Sequence, residues 1–364
     1  MSAPVVLHIG KVAKISGSEN HLLLLLPRLR ERGYDIRFVL LHEGEPGALD
    51  FARRLEEAGV PVDTIRLPFA ADPRAFRRLV AEIRRHGPAI VHTHLVHADF
   101  LGLSAARICG VPVLASTKHG FNHFRESRPF ALADRTIGRL ADLHIAISHG
   151  LARYLAEVEG FGVDEFTVVH YGIEPGPEPP PCDLDVPRLL CVGRLVPIKG
   201  HDVLLRAFAQ ARDAVPGLEL QLAGSGELEG ELRSRVDELG LAGAVQFLGL
   251  VSPIEPLIEA FPIVVVPSLG EGFGMVALEA MERGRAVIAS AVGGLPEIVS
   301  EGETGLIVPC ADQVRLAQAI VELASDLPRA AAMGQAGRRR ALSAFPQERC
   351  TEQTAALYDA ALGR

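Results

Sequence analysis

Pro267-Ser268-Leu269-Gly270-Glu271-Gly272-Phe273-Gly274-Met275-Val276-Ala277-Leu278-Glu279-Ala280-Met281 follows an apolar run, Ile263 to Val266, that is short, β-branched and closed by turn residues. Such a run predicts a buried parallel strand. Gly270 and Gly272 then supply a turn, and a helical pattern starts at about Phe273. A strand–turn–helix of this kind leaves the amides of Gly272, Phe273 and Gly274 without intrahelical partners. The helix dipole adds partial positive charge at the same place, which suits phosphate oxygens or an array of hydroxyls.

Glu271 lies in that turn and Glu279 about two turns into the helix, roughly 10 Å further along its axis at about 1.5 Å per residue. Glu279 stands among Met275, Val276, Ala277, Leu278, Ala280 and Met281, a setting in which a carboxylate needs a partner. A vicinal diol is one, because two hydroxyl donors match two carboxylate oxygens. The competing reading is a helix acid facing water and an ordinary loop acid.

Working outward, Arg188–Val192 predicts another strand, followed by Gly193-Arg194-Leu195-Val196-Pro197-Ile198-Lys199-Gly200 and a helix over Asp202–Arg212. Arg194 and Lys199 flank this second strand-end turn. A diphosphate is well held by one planar bidentate donor and one mobile point charge. Further out, Leu218–Ala223 with Gly224-Ser225-Gly226 gives one more strand and turn, and Val245–Val251 another strand. After the Glu279 helix the pattern reads as helical to the C-terminus.

The N-terminal half repeats the theme. Strands are predicted at Val5–Gly10, Ile36–Leu41, Thr64–Leu67, Ala89–Thr93, Val113–Ser116 and Asp142–Ile147, with Thr167–His170 leading to Tyr171-Gly172-Ile173. Helices are predicted at His21–Glu31, Gly47–Ala58, Asp72–Arg85 and His149–Glu157, with Lys11–Glu19 as the turn after the first strand. Alternation of this kind makes doubly wound α/β domains, which place ligands at the carboxyl ends of their strands. Residues 174–187 hold six prolines and read as a stiff linker. The expected organisation is a domain over 1–173, the linker 174–187, a second domain over 188–344, and a last helix over 345–364. Asp183-Leu184-Asp185 falls inside the linker, away from any strand end, and reads as a chance D-x-D.

A chain of 364 residues is long enough for two such cores. Its net charge of -8 argues against nucleic acid as the main partner. Residues 1–173 carry 21 Lys and Arg against 19 Asp and Glu, and residues 174–364 carry 16 against 26, so the first half is the side suited to an anionic surface. Five cysteines without a CxxC pair fit reduced thiols and a cytoplasmic location. No signal peptide is read at the N-terminus, and Leu22–Leu26 is too short to span a bilayer.

Three features invite sharper readings. The helix at 72–85 carries Arg74, Arg77, Arg78, Arg84 and Arg85 beside Phe76, Leu79, Val80 and Ile83, so it reads either as a core-facing helix with a solvated basic face or as peripheral contact with an anionic membrane, at its inner face. His92 and His94, with His97 beyond, suggest metal ligands, but only Asp99 follows at ligand spacing, and no metal site is expected. Phe121-Asn122-His123-Phe124-Arg125-Glu126-Ser127-Arg128 is a polar loop with aromatic anchors, and Asn122 and Arg125 are acceptor-binding candidates.

With these residues in view, Glu271 to Glu279 around Gly-Phe-Gly resembles the E-x7-E signature of retaining glycosyltransferases of family 4, the GT-B group 1 enzymes. Pro267-Ser268, Gly284, Ala291-Val292-Gly293-Gly294, Pro296-Glu297-Ile298-Val299 and Gly302 to Pro309 extend the likeness, and Gly-Arg-Leu-x4-Gly at 193–200 adds a second signature. The resemblance implies two Rossmann-like domains facing a central cleft and a last helix that crosses back to the first domain. It implies that Glu271, with Gly272, Phe273 and Gly274, holds donor-sugar hydroxyls, that Glu279 holds a ribose diol, and that Val251 lies where main-chain atoms meet the base. Arg194 and Lys199 would stabilise the diphosphate leaving group. Ser16-Gly17 stands where the family carries Gly-Gly: Gly17 matches the second glycine, on the diphosphate, and Ser16 departs from the first. His94 and His119 would line the cleft, His119 against the transferred sugar, with Ser16 and His94 on the acceptor side. Tyr171 replaces the family's common Asn.

The activity so implied is metal-independent transfer of a sugar, with retention, from a UDP-, GDP- or ADP-sugar to a hydroxyl of a saccharide, lipid-linked or small-molecule acceptor, in polysaccharide or glycolipid biosynthesis. No cofactor is expected. A GT-B nucleotide-sugar epimerase or hydrolase, and a non-catalytic nucleotide-sugar-binding subunit, stay open as alternatives. A nicotinamide oxidoreductase lacks its glycine fingerprint here.

Overall fold

A computed structural model of the chain describes residues 3–69, 72–121, 127–181 and 184–364. The chain divides into two compact units, Met1–Gly172 with Gln347–Arg364, and Ile173–Pro346. The acceptor candidates Asn122 and Arg125, and Asp183 of the D-x-D, lie outside the described residues.

The first unit runs β1 (Val5–Lys11), α1 (Gly17–Glu31), β2 (Asp35–His42), α2 (Pro46–Glu57), β3 (Val62–Arg66), α3 (Pro73–His86), β4 (Ile90–His94), a helical passage made of α4 (Val96–Ala98), a wide turn over Asp99–Leu103 and α5 (Ser104–Cys109), then β5 (Val113–Lys118), α6 (Arg128–Gly138), β6 (Leu143–Ala146), α7 (His149–Glu159) and β7 (Phe166–Val168). Its seven strands pair in parallel in the order β3-β2-β1-β4-β5-β6-β7. Strand order reverses between β1 and β4, which opens a crevice at their carboxyl ends. Helices cover both faces, so β4 and all but the end residues of β1 are buried, the polar His8, His92, Thr93 and His94 among them.

The second unit runs β8 (Arg188–Val192), α8 (His201–Ala214), β9 (Glu219–Ala223), α9 (Glu229–Glu238), β10 (Val245–Gly249), α10 (Glu255–Glu259), β11 (Ile263–Val266), α11 (Met275–Glu282), β12 (Ala286–Ser290), α12 (Leu295–Ile298), β13 (Gly305–Val308), α13 (Gln313–Ala324) and α14 (Leu327–Ala344). Its six parallel strands lie in the order β10-β9-β8-β11-β12-β13. Here the order reverses between β8 and β11. The last helix, α15 (Gln347–Leu362), belongs to the first unit, where Cys350, Ala355 and Tyr358 join the core beneath β1 and β2.

Several boundaries differ from the sequence reading, each for a physical reason. Helix α1 starts at Gly17, inside the expected turn, because Ser16 is extended and forms a capping box: its amide donates to Glu19 Oε2 at 3.0 Å and its hydroxyl to the same oxygen at 2.5 Å. Helix α11 starts at Met275 because Gly274, at φ +115°, cannot be helical. Glu279 therefore stands little more than one turn into the helix. Strands β12 and β13 replace part of the expected helical tail; β12 is wholly buried and only five residues long, and buried runs that short carry no periodicity to separate strand from helix.

The proline-rich segment does not hang free. The Gly176 amide donates to Glu282 Oε1 at 3.0 Å, and Arg285 donates to the Pro180 carbonyl at 3.0 Å. The segment is thereby tied to the end of α11 and the start of β12, within the second unit.

Candidate active site

In the second unit the two signature turns meet where strand order reverses. The turn after β8 and the turn after β11 are locked by backbone contact: the Leu269 amide donates to the Ile198 carbonyl at 2.8 Å. Gly200, at φ +70°, passes so close that a Cβ there would sit 2.0 Å from the Pro267 carbonyl oxygen. Only glycine lets the turns approach this far.

Lys199 and Glu271 join across this junction. Lys199 Nζ donates to Glu271 Oε2 at 2.6 Å, and the buried Ser268 hydroxyl donates to the same oxygen at 3.1 Å. The side chains are 24% and 15% exposed, so the pair is held by protein on one side and reachable on the other. Arg194 is exposed, and its guanidinium has no hydrogen-bond partner among the described residues. Both cations can therefore meet an anionic ligand, Arg194 at once and Lys199 by sharing with or leaving Glu271.

Gly272, Phe273 and Gly274 are buried, with Phe273 packed edge-on against Phe345 at 5.8 Å between ring centres. Glu279 is half-buried and has no side-chain hydrogen bond among the described residues. Burial, with the Glu255 carboxylate as a smaller contribution, pushes its pKa up to about 7. A carboxylate left without a partner, yet open on one side, can accept two hydroxyls of a ligand. Val251 follows β10 and is half-buried.

In the first unit, Gly17 is the first residue of α1, and its neighbour Ser16 spends its hydroxyl on Glu19. Glu19 is buried; the sequence reading passed over it, although its place three residues after a Ser N-cap was the visible signal. His119 follows β5 and is half-buried. Its Nδ1 is bonded to Tyr171 Oη and its Nε2 lies 2.9 Å from His94 Nδ1. Burial lowers the His119 pKa to about 3, so its ring is neutral. His94 is buried with its other nitrogen 2.8 Å from His8 Nδ1. Neither ring of the pair has a free nitrogen, so His94 reaches the strand ends only through His119.

Lys118, the residue before His119, is buried and bonded to Asp99 at 2.8 Å and Asp134 at 3.5 Å. Asp99 also accepts from Thr93 and Ser116 at 2.5 and 2.8 Å. The one acid at metal-ligand spacing from His92 and His94 is thus committed to Lys118. Asp99 and Asp134 sit 35 residues apart in sequence, so no local pattern could have announced this cluster.

Residues 186–326 match the family described as Glycosyl transferases group 1, and residues 15–176 match Glycosyltransferase Family 4. The chain is 32% identical over 308 residues to an alpha-maltose-1-phosphate synthase of Mycolicibacterium smegmatis, covering 74% of this chain and 78% of that protein. It is 31% identical over 310 residues to a D-inositol 3-phosphate glycosyltransferase of Streptomyces avermitilis, covering 75% of this chain and 65% of that protein. Among solved structures, Anabaena Alr3699/HepE in complex with UDP-glucose is similar with a TM-score of 0.85 at 22% identity, covering 98% of this chain and all (100%) of that one. Sucrose-phosphate synthase from Thermosynechococcus elongatus is similar at 0.79 and 24%, covering 99% of each. The two family matches and the D-inositol 3-phosphate glycosyltransferase disfavour the epimerase, hydrolase and silent-subunit alternatives. The chain belongs to glycosyltransferase family 4, a glycosyltransferase built on the GT-B fold.

Proposed function

We propose that the protein moves a sugar from a nucleotide-sugar donor to an acceptor hydroxyl with retention at the anomeric carbon, and that it needs no metal ion to do so. The observation that carries the reading is the Lys199–Glu271 pair at the meeting of the β8 and β11 turns, with exposed Arg194 in the same unit and Glu279 there without a side-chain hydrogen bond among the described residues. Breaking the anomeric bond puts negative charge on the diphosphate. Donors already in place for that charge are usually the largest electrostatic contribution to such a step. On this reading Arg194 and Lys199 supply the cations. Glu271, released from Lys199, accepts sugar hydroxyls beside Gly272, Phe273 and Gly274. Glu279 accepts the ribose diol, and Val251 meets the base through its backbone.

In the first unit, the Gly17 amide at the head of α1 is assigned to the diphosphate and neutral His119 to the sugar. Ser16 is kept on the acceptor side by its position alone, since its amide and hydroxyl are both spent on Glu19 and its carbonyl accepts from the Asn20 amide. The acceptor proton passes to the leaving phosphate on the same face, so no side chain is named as general base.

The donor class favoured is a UDP-sugar, on the strength of the UDP-glucose complex of Alr3699/HepE. A polyhydroxylated acceptor, saccharide, lipid-linked or small, is in keeping with the relatives' names. No helix among the described residues is long and apolar enough to cross a membrane. The reading places the protein in the cytoplasm, with electrostatic contact to anionic lipid through α3.

The test is a thermal-shift panel of UDP-, GDP- and ADP-sugars, followed by product analysis of the anomer. A ligand at a hundred times its Kd adds about 2.7 kcal/mol of stability, enough to rank donors. One nucleotide class should stabilise the protein, and free nucleotide should appear only with acceptor present. An inverted product, or nucleotide release at the same rate without acceptor, would overturn the reading.

A further inference from the structure

Behind His119 the first unit holds a file of hydrogen-bonded rings. Tyr171 Oη meets His119 Nδ1; His119 Nε2 lies 2.9 Å from His94 Nδ1, and His94 Nε2 lies 2.8 Å from His8 Nδ1. His8 Nε2 is 3.5 Å from Tyr358 Oη, which is 2.6 Å from His92 Nδ1, and His92 Nε2 is 2.7 Å from Thr117 Oγ1. All members but His119 are buried. The file draws on β1, β4, β5, the approach to the unit's end at Gly172, and helix α15.

A neutral imidazole has one N–H and one lone pair, so each ring in such a file donates on one side and accepts on the other. Three patterns satisfy every contact: one running from Tyr171 to Thr117, its reverse, and one in which Tyr358 accepts from both His8 and His92. The tyrosines choose among them. A phenol is a stronger acid than a neutral imidazole N–H, and an imidazole nitrogen is a stronger base than a phenol oxygen. Tyr171 and Tyr358 therefore each donate to the Nδ1 they touch. The rest follows without conflict: His119, His94, His8 and His92 all carry their proton on Nε2.

We infer that this file is a one-way hydrogen-bond line that locks His119 in its Nε2–H tautomer, with Tyr171 as the positioning residue. The inference rests on the reading of His119 as a group that lines the donor sugar. It gives a role to the Tyr that stands where the family commonly has Asn. It also means that His119 offers the sugar its ring edge and not a free nitrogen, because both nitrogens are spent. His8, His92 and His94 have nitrogens within 4.8 Å of one another, as a transition-metal site would. Each of those nitrogens already has a partner in the file, which favours the line over an ion.

The deciding experiment is long-range proton–nitrogen correlation on the 15N-labelled full chain, with rings assigned through single His→Gln variants. The expected result is four neutral Nε2–H histidines in the wild type. Tyr171→Phe keeps the ring that stacks on His21 at 4.0 Å but removes the first donor. It should abolish the fixed tautomer of His119 and lower kcat about tenfold, the order of one lost buried hydrogen bond, with the donor KM within about twofold. His119 in the Nδ1–H form, or His119 signals unchanged by Tyr171→Phe, would overturn the proposal. So would stoichiometric Zn2+ in the purified protein that His92→Asn removes. If Tyr171→Phe does not fold, the wild-type tautomers decide alone. The nitrogen spectrum needs no turnover, so an inactive protein with the expected tautomers would fault the donor reading and leave the line intact.

Discussion

Lys199 Nζ rests 2.6 Å from Glu271 Oε2 and ties the turn after β8 to the turn after β11. Both side chains keep some exposure, so the pair adds little to stability, about 0–1 kcal/mol. On the proposed reading it holds a cation and an acceptor at one point until a ligand takes them apart. Lys199→Met should therefore leave the melting temperature within about 2–4 °C of wild type. It should cut kcat by about a hundredfold or more, as loss of a donor to a developing anion does. Steady-state kinetics with the donor found in the panel, beside calorimetry, measures both; equal turnover in the two proteins sinks the assignment.

Glu279 gives a pH dependence with a definite sign. Its pKa is raised to about 7 by burial, so between its unfolded value and about 7 the folded chain holds a proton that the unfolded chain has lost. Folding stability then falls as pH rises through that window. Glu279→Gln should be more stable than wild type at pH 8, by on the order of 1–3 kcal/mol, with the gain gone by pH 4.5. Donor binding should run the other way. The ionised carboxylate is the better acceptor for a diol, and its population rises about tenfold from pH 6 to pH 8. A nucleotide sugar has no terminal phosphate titrating in that range, so calorimetric Kd values in wild type and Glu279→Gln isolate the effect. A variant that keeps the pH dependence refutes it.

The strands that frame this site were legible to the residue. Arg188–Val192 and Ile263–Val266 are β-branched or aliphatic runs ended by glycine or proline, and burial on both faces demands that composition. The Gly-Arg-Leu-x4-Gly and E-x7-E turns were legible because each needs glycine where the backbone has no room. The link between Lys199 and Glu271 was not, since it joins residues 72 apart. The His119 file was hidden for the same reason: its contacts join His92 to Tyr358 and His8 to His94, and nothing local in either sequence distinguishes them from ordinary core residues. Strands β12 and β13 were missed because short buried runs lack the alternation that marks a strand.

Gly200 tests the junction of the turns directly. Alanine there must accept φ +70° and place its Cβ 2.0 Å from the Pro267 carbonyl, so the two turns have to separate. Left-handed backbone alone costs a non-glycine residue about 1–2 kcal/mol, and the forced displacement adds to it. Gly200→Ala should lose about 2–4 kcal/mol in denaturant unfolding. It should also lose most activity at temperatures where it remains folded, because Lys199 and Glu271 move apart. A variant as stable and active as wild type would show that the junction relaxes freely.

Transfer driven by side-chain cations should ignore chelators. With Arg194 and Lys199 supplying the positive charge, the rate in the presence of EDTA should match the rate with added Mg2+ or Mn2+ within about twofold, since a divalent ion would otherwise be worth several kcal/mol at a phosphoryl oxygen. Loss of activity on chelation, restored by one metal, would replace this assignment with a metal-assisted one.

Helix α3 sets the terms of any lipid contact. Its Ala75, Leu79 and Ile83 are buried, and Phe76 and Val80 pack against the same core. Arg85 is paired with Asp63 and Glu82, each at 2.6 Å. Exposed Arg74, Arg77, Arg78 and Arg84 remain for an anionic surface. With its apolar stripe already spent, the helix can adsorb but not insert, at about 1 kcal/mol per arginine near the surface. The protein should sediment with phosphatidylserine-containing vesicles at low salt and come off as the Debye length shrinks toward about 3 Å near 1 M salt. Arg→Glu changes at 74, 77, 78 and 84 together should abolish sedimentation while leaving turnover on a soluble acceptor unchanged. Binding that survives high salt would mean an apolar anchor elsewhere on the first unit, and binding that never appears would confine α3 to its place on the sheet.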